Sequence, residues 1–193
     1  EGGAALTNNG HLAKRMNMFR THGIINNLEE MKERPNDELW NYQQVDIGFN
    51  YRMTDIQAAL VNNQLKRVDN FVESRNIHAN YYQKAISNLP ITSQKINQNS
   101  LSSYHLFVIR IDKNDINLSH KNLYLEMKKA GIGVNLHYIP IYRHPYYEKL
   151  GFLPGYCPEA EKYFQDAITI PLYPDLTQNE QEFIIDTLHK IIN

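Results

Sequence analysis

Cysteine is nearly missing from this chain. Cys157 stands alone, so no internal disulfide can form, and the composition suits a reducing compartment such as the cytoplasm. No apolar run is long enough to span a bilayer as a helix. Neither sign of charge dominates: 20 Lys and Arg face 21 Asp and Glu, a net charge of -1, which offers no electrostatic footprint for nucleic acid. The eight histidines fall in no metal-ligand spacing, with neither His-Glu-x-x-His nor paired cysteines. Gly-x-Ser-x-Gly, the Walker loop and the dinucleotide fingerprint are all missing, as are internal repeats and low-complexity tracts. Cys157, flanked by Tyr156 and Pro158, reads as inert rather than nucleophilic.

What remains is a chain of 193 residues, 42% hydrophobic, enough to bury a core in one or two domains. Thirteen tyrosines against one tryptophan supply surfaces that are apolar and hydrogen-bonding at once, suited to packing, interfaces or polar pockets. The chain opens on Glu1-Gly2-Gly3 rather than Met and reads as the later part of a larger protein.

Residues 3–7 read as a short buried strand and Asn8-Asn9-Gly10 as a turn. Leu12, Met16 and Phe19 mark a helix over 11–21 that His22-Gly23 stops. Residues 24–47, with Pro35-Asn36-Asp37 near the middle, form a polar surface loop of a length that is usually functional or mobile. Thr54 and Gln57 make a capping box, opening a helix whose stripe includes Ile56, Leu60, Leu65, Val68 and Val72. The helical pattern continues to Pro90, about 35 residues or roughly 50 Å, so it bridges two domains or bends. Residues 94–103 read as a linker and 104–111 as a strand. A helix over 118–130 turns Leu123, Met127 and Ala130 inward and closes on Gly131. A strand over 133–138, a helix over 159–167, a strand over 168–172 and a last helix from Thr177 complete a small α/β unit.

Two stretches carry polar groups that could act on a ligand. Gly48-Phe49-Asn50-Tyr51-Arg52-Met53 joins an amide and a guanidinium just before a helix start, where an anion is favoured by the helix dipole. The alternative is that Asn50 ends a turn and Arg52 makes a surface ion pair, which the spacing alone favours. His137-Tyr138-Ile139-Pro140-Ile141-Tyr142-Arg143 and the Tyr146-Tyr147 pair form a rigid, donor-rich loop able to grip a sugar or nucleotide. A Tyr/Pro packing corner explains the same residues equally well.

Taken in order, four segments resemble the DegT/DnrJ/EryC1/StrS family of sugar aminotransferases. They are Glu1-Gly2-Gly3-Ala4 through Asn8, Arg20-Thr21-His22-Gly23, Gly48-Phe49-Asn50-Tyr51-Arg52-Met53 and His137-Tyr138-Ile139-Pro140. The resemblance covers nearly the whole chain. It implies an α/β fold: the C-terminal part of an aspartate-aminotransferase-like, fold type I transferase that uses pyridoxal 5'-phosphate (PLP). Residues 1–53 would be a remnant of the cofactor-binding large domain, 54–90 a long connecting helix and 91–193 the small C-terminal domain. The resemblance extends to members that aminate C4 of a UDP-linked 4-keto-6-deoxy amino sugar on the way to pseudaminic acid, with L-glutamate as donor. The residues behind it are His137 to Tyr142, Pro145 to Phe152 and Ile170 to Thr177, although many relatives carry His where this chain has Tyr142.

By that resemblance Asn50 and Arg52 would bind the cofactor, with Asn50 serving the phosphate in the neighbouring subunit of a homodimer with shared active sites. His137, Tyr138, Tyr142 and Arg143 would bind the sugar nucleotide. The Schiff-base Lys and the Asp that pairs with the pyridine nitrogen would precede Glu1, so this stretch alone is expected to be inactive. Other readings are amination of a different nucleotide sugar within the family, or a non-catalytic dimerisation module.

Overall fold

The computed structural model describes residues 3–33, 37–112 and 118–193. Glu1 and Gly2 of the family-like opening, and Pro35 and Asn36 of the polar loop, lie outside the described residues. The chain forms two compact units, Glu1–Lys66 and Arg67–Asn193.

The first unit is built around one helix end. Helix α1, Gly10–Arg20, starts where the Asn9 side chain accepts from the amides of His11 and Leu12, so the expected turn is an N-cap. It stops at His22 and Gly23, whose φ values of 60° and 70° lie in the left-handed region. The loop expected over 24–47 contains two short strands, β1 (Ile24–Ile25) and β2 (Gln43–Gln44), paired antiparallel. Gln43, one of the few buried polar residues, exchanges hydrogen bonds with the backbone of Lys32. Helix α2, Asp55–Leu65, opens on the Thr54/Gln57 capping box as expected. Residues 3–7 form no strand, and Leu6 is 93% exposed. A strand needs a neighbour for its ladder, and no described residue pairs there.

The helical pattern expected over 54–90, as a helix that bridges two domains or bends, is divided at Lys66–Arg67 into α2 and α3, Val68–Ala85. The division follows what each piece packs against. Helix α2 buries nothing, whereas α3 buries Ala79 and Tyr82 in the core of the second unit. Arg75 ties α3 there by donating to the carbonyls of Tyr104, His105 and Leu172.

Strands β3 (Ile91–Ser93), β4 (Phe107–Ile111) and β5 (Ala167–Ile170) form an antiparallel sheet in that order. Strand β4 alternates as a strand packed on one face should, burying Phe107, Ile109 and Ile111. Against them pack Tyr82 of α3, Leu123 and Met127 of α4 (His120–Lys129), and Ile184, Ile185 and Leu188 of α7 (Gln178–Ile192). Leu123 and Met127 point inward as expected, Gly131 takes φ 83° just past α4, and Ala130 is exposed. On the other sheet face lies α6, Pro158–Asp166, whose Asp166 accepts two hydrogen bonds of 2.9 Å from Arg110 of β4. A 3-10 turn, Ile141–Arg143, and the short helix α5, Pro145–Glu148, lead into it.

The strand expected over 133–138 is reduced to a single antiparallel bridge between Asn135 and Thr169. The Asn135 carboxamide accepts from the amide of Leu136, which turns the backbone away after one pair. Among the described residues, no helix is long and apolar enough to cross a membrane.

Candidate functional site

Asn50 is placed by a backbone clamp. The segment after Gly48 runs antiparallel to the end of α1. Phe49 donates to the Phe19 carbonyl at 2.7 Å, His22 donates to the Phe49 carbonyl at 2.8 Å, and Tyr51 donates to the Arg20 carbonyl at 3.0 Å. Thr21 and Asn50 form a bridge between them. This approach requires two glycines. A Cβ on Gly48 would stand 2.2 Å from the Gly23 nitrogen, and one on Gly23 would stand 1.9 Å from the Asp46 carbonyl oxygen. The Arg20-to-Gly23 and Gly48-to-Met53 stretches, separate in sequence, are therefore one structural device.

Arg52 lies beside a groove of about 590 Å³ lined by Thr21, Ile24, Trp40, Asn41, Tyr42 and Arg52 itself. The ion pair that spacing favoured for Arg52 does not form: among the described residues it meets no carboxylate. Asn50 is exposed and its carboxamide likewise has no hydrogen-bond partner among them. One amide and one unpaired guanidinium on a fixed backbone are a donor set for an anion.

The second group lies in the other unit. The His137 ring is held through Nδ1 by the Thr169 hydroxyl at 2.8 Å, and its carbonyl accepts from the Tyr163 phenol at 3.1 Å. Burial raises the Tyr163 pKa above its usual value, keeping that phenol a donor. Tyr138 stands against the His137 ring edge at 4.7 Å, with 70% of its surface exposed. Tyr142 and Arg143 turn back onto α6. The Tyr142 hydroxyl meets Glu161 at 3.0 Å and the Arg143 guanidinium meets the other Glu161 oxygen at 3.0 Å. Asn50 and Arg52 thus lie in the first unit, two residues apart on the clamped segment, and His137, Tyr138, Tyr142 and Arg143 lie in the second. Within the second group, Tyr142 and Arg143 already have partners.

Sequence reasoning missed Thr169, Tyr163 and Glu161, which hold the loop. They lie 18 to 32 residues from their partners, so no local motif connects them. It also missed Trp40 beside Arg52, for the same reason.

The model of the DegT/DnrJ/EryC1/StrS aminotransferase family matches residues 1–189. The chain belongs to this family. DegT/DnrJ/EryC1/StrS proteins are PLP-dependent sugar aminotransferases, and this member has their fold type I architecture. The chain is 33% identical over 194 residues to the UDP-4-amino-4,6-dideoxy-N-acetyl-beta-L-altrosamine transaminase of Campylobacter jejuni serotype O:2, covering 100% of this chain and 48% of that protein. It resembles the structure of Helicobacter pylori PseC, an aminotransferase of pseudaminic acid biosynthesis, with a TM-score of 0.83 at 26% identity, over 96% of this chain and 47% of that one. It also resembles the PLP-form of the putative sugar aminotransferase Spr1654 from Streptococcus pneumoniae, with a TM-score of 0.80 at 25% identity, over 99% of this chain and 47% of that one. The chain thus spans about half the length of the curated relatives it matches.

The donor chemistry fits the family's cofactor. A phosphate needs N–H donors without a competing carboxylate, and among the described residues Asn50 and Arg52 offer that set.

Proposed function

We propose that this chain is part of a PLP-dependent aminotransferase of the cytoplasm that moves an amino group from L-glutamate to C4 of a UDP-linked 4-keto-6-deoxy amino sugar, on the way to pseudaminic acid. The observation that carries the reading is the Asn50 and Arg52 donor set, unpaired among the described residues and set on a backbone fixed by the Gly23–Gly48 contact in a chain of this family. Whole-chain likeness to a UDP-amino-sugar transaminase narrows the substrate class. Bound here, the cofactor supplies the electron sink for amino transfer. Asn50 and Arg52 hold its phosphate. His137 and Tyr138 contact the sugar nucleotide: Tyr138 presents an exposed ring, and His137 is oriented by Thr169 and Tyr163. Tyr142 and Arg143 belong to the same loop and support it.

In this reading residues 1–53 close the cofactor-binding large domain, and 91–193 form the small domain. The protein works as a homodimer whose subunits share their active sites. What supports a partner is the first unit's uncovered apolar surface, including Phe49, Tyr51, Ile56 and Leu60.

The test is amination by the purified full-length protein, with L-glutamate as donor and a panel of UDP-linked keto sugars, the product identified by NMR. The expected product is the 4-amino-4,6-dideoxy sugar. Amination at another carbon would move the protein to a different branch of the family, and no amination of any UDP-linked keto sugar would overturn the reading.

A further inference from the structure

Glu161 is the point on which the loop after His137 converges. Its carboxylate, 14% exposed, lies on α6 and accepts from three donors between Tyr142 and Gly155. The amide of Gly155 donates at 3.1 Å, the Tyr142 hydroxyl at 3.0 Å and the Arg143 guanidinium at 3.0 Å. The Tyr142 O–H has the Cys157 carbonyl within 3.2 Å as a second acceptor, but one proton serves one acceptor fully. The charged and nearer Glu161 oxygen takes it. The same phenol oxygen accepts from the Cys157 amide at 3.3 Å, so Tyr142 joins both ends of the loop.

Arg143 is held a second time on this helix, its guanidinium lying over the Phe164 ring at 4.7 Å. The donors keep the Glu161 carboxyl below the ordinary carboxylate range, the Gly155 amide contributing most and Tyr142 and Arg143 adding to it. The anchor is therefore charged at neutral pH. Two residues further along α6, Tyr163 holds the carbonyl of His137. A single helix thus pins the loop at both ends, with Tyr138 projecting between the two clamps.

We propose that Glu161 is a positioning residue: by tying Tyr142, Arg143 and Gly155 to α6 it sets the conformation in which His137 and Tyr138 are presented to the sugar nucleotide. This rests on the assignment of that loop to the sugar. It changes the role of Tyr142 and Arg143 from ligand contacts to supports, because their polar groups are already engaged. Preorganising a loop in its binding conformation strengthens binding by lowering the ordering cost, so the effect belongs to the sugar and not to the amino donor.

The experiment uses the full-length PLP-loaded enzyme and the variants Glu161→Gln, Glu161→Ala and Tyr142→Phe. Hydrogen exchange at the Gly155 and Cys157 amides should quicken about tenfold or more in Glu161→Ala, because the amides lose their acceptors or the contacts that order them. The KM for the sugar nucleotide should rise about tenfold, with kcat, the KM for glutamate and PLP content close to those of the parent. Glu161→Gln keeps an oxygen acceptor but loses the ion pair, so both readouts should fall between parent and Ala. Should Glu161→Ala fail to fold, Gln and Tyr142→Phe carry the same measurements. Unchanged exchange at Gly155 and Cys157 would overturn the anchor. Faster exchange with an unmoved sugar KM would overturn its role in positioning, while leaving the aminotransferase reading intact. A parent enzyme that aminates no sugar nucleotide would instead sink that reading and, with it, the sugar-binding part of this proposal.

Discussion

The two units of this chain are held together by different physics. In residues 67–193 the sheet and helices α3, α4 and α7 enclose a continuous apolar core running from Ala79 to Leu188. Among the described residues of 1–66, only Gly23 and Gln43 are buried. Their shape comes from backbone hydrogen bonds and one close glycine contact, while Trp40 and Ile56 stand 79% and 76% exposed. Apolar side chains at that density on a surface are what the core of an interface requires. The second unit's sequence describes an interior. That of the first describes a backbone frame that leaves most of its apolar side chains exposed.

The hardest blow to this contrast falls on the core. Phe107 is fully buried against Tyr82 and Tyr104, with ring centroids 5.1 and 6.3 Å away. Phe107→Ala should cost about 3–5 kcal/mol by leaving a cavity that close packing cannot refill. Urea denaturation followed by tyrosine fluorescence would measure it, and a loss under about 1 kcal/mol would mean the core is not close-packed at Phe107.

A smaller loss is expected where the first unit depends on geometry. Gly23→Ala places a Cβ against the Asp46 carbonyl at a φ of 70°. The strain alone costs roughly 1–3 kcal/mol, and the collision adds to it. Hydrogen exchange should show the amides of His22 and Phe49 losing protection while those of β4 keep theirs. Equal loss in both units would show that the two are one cooperative structure.

This contrast also decides what the sequence could reveal. Periodicity and caps report local energetics, so the Thr54 box, the last helix from Thr177, the inward Leu123 and Met127 and the stop at His22-Gly23 were all legible. A bend or bridge in the long helical stretch was expected, but its position at Lys66–Arg67 was not legible, because residues on both sides favour helix and only burial separates α2 from α3. Residues 3–7 carry an apolar pattern whose pairing partner is not among the described residues, so pattern and structure part there. For the site, Asn50, Arg52, His137 and Tyr138 could be picked out by motif, but their surroundings could not. Spacing suggested an ion pair for Arg52, and no described carboxylate meets that cation. The resemblance offered Tyr142 and Arg143 to the sugar nucleotide, and in the fold a carboxylate 18 residues beyond Arg143 hydrogen-bonds both.

The third prediction separates display from stability. Arg52 makes no ion pair with any described residue, so Arg52→Ala in the full-length protein should leave the melting temperature unchanged. PLP retention should fall about tenfold, the weight of a hydrogen bond to a charged group. Asn50→Ala should do the same to a lesser degree, with sugar affinity less affected than cofactor retention. Equilibrium dialysis against free PLP reads both, and retention equal to the parent's would remove the phosphate role from these residues.

The smallest effect compares one helix start from each unit. In α2, Gln57 closes the capping box, donating its amide to Thr54 and accepting from the Thr54 amide at 3.0 Å. In α7 a carboxylate does the same work: Glu180 accepts from the Thr177 amide at 2.8 Å and from its hydroxyl at 2.7 Å. Those bonds, the hydroxyl first and the amide next, hold the Glu180 carboxyl below its ordinary value. A carboxyl lowered by folding contributes stability that is complete above its unfolded pKa and lost as pH falls through the folded one. The α7 start should therefore loosen on acidification below the ordinary carboxylate range, whereas Gln57 does not titrate and the α2 start should not follow. Amide exchange at residues 57 and 180, corrected for the intrinsic pH dependence, measures each cap separately. Glu180→Gln should flatten the α7 profile until it matches that of α2, since the box then closes on an amide in both. A slope that survives this substitution would place the acid sensitivity of α7 in another group, Asp175 or Glu182 being the nearest carboxylates in sequence.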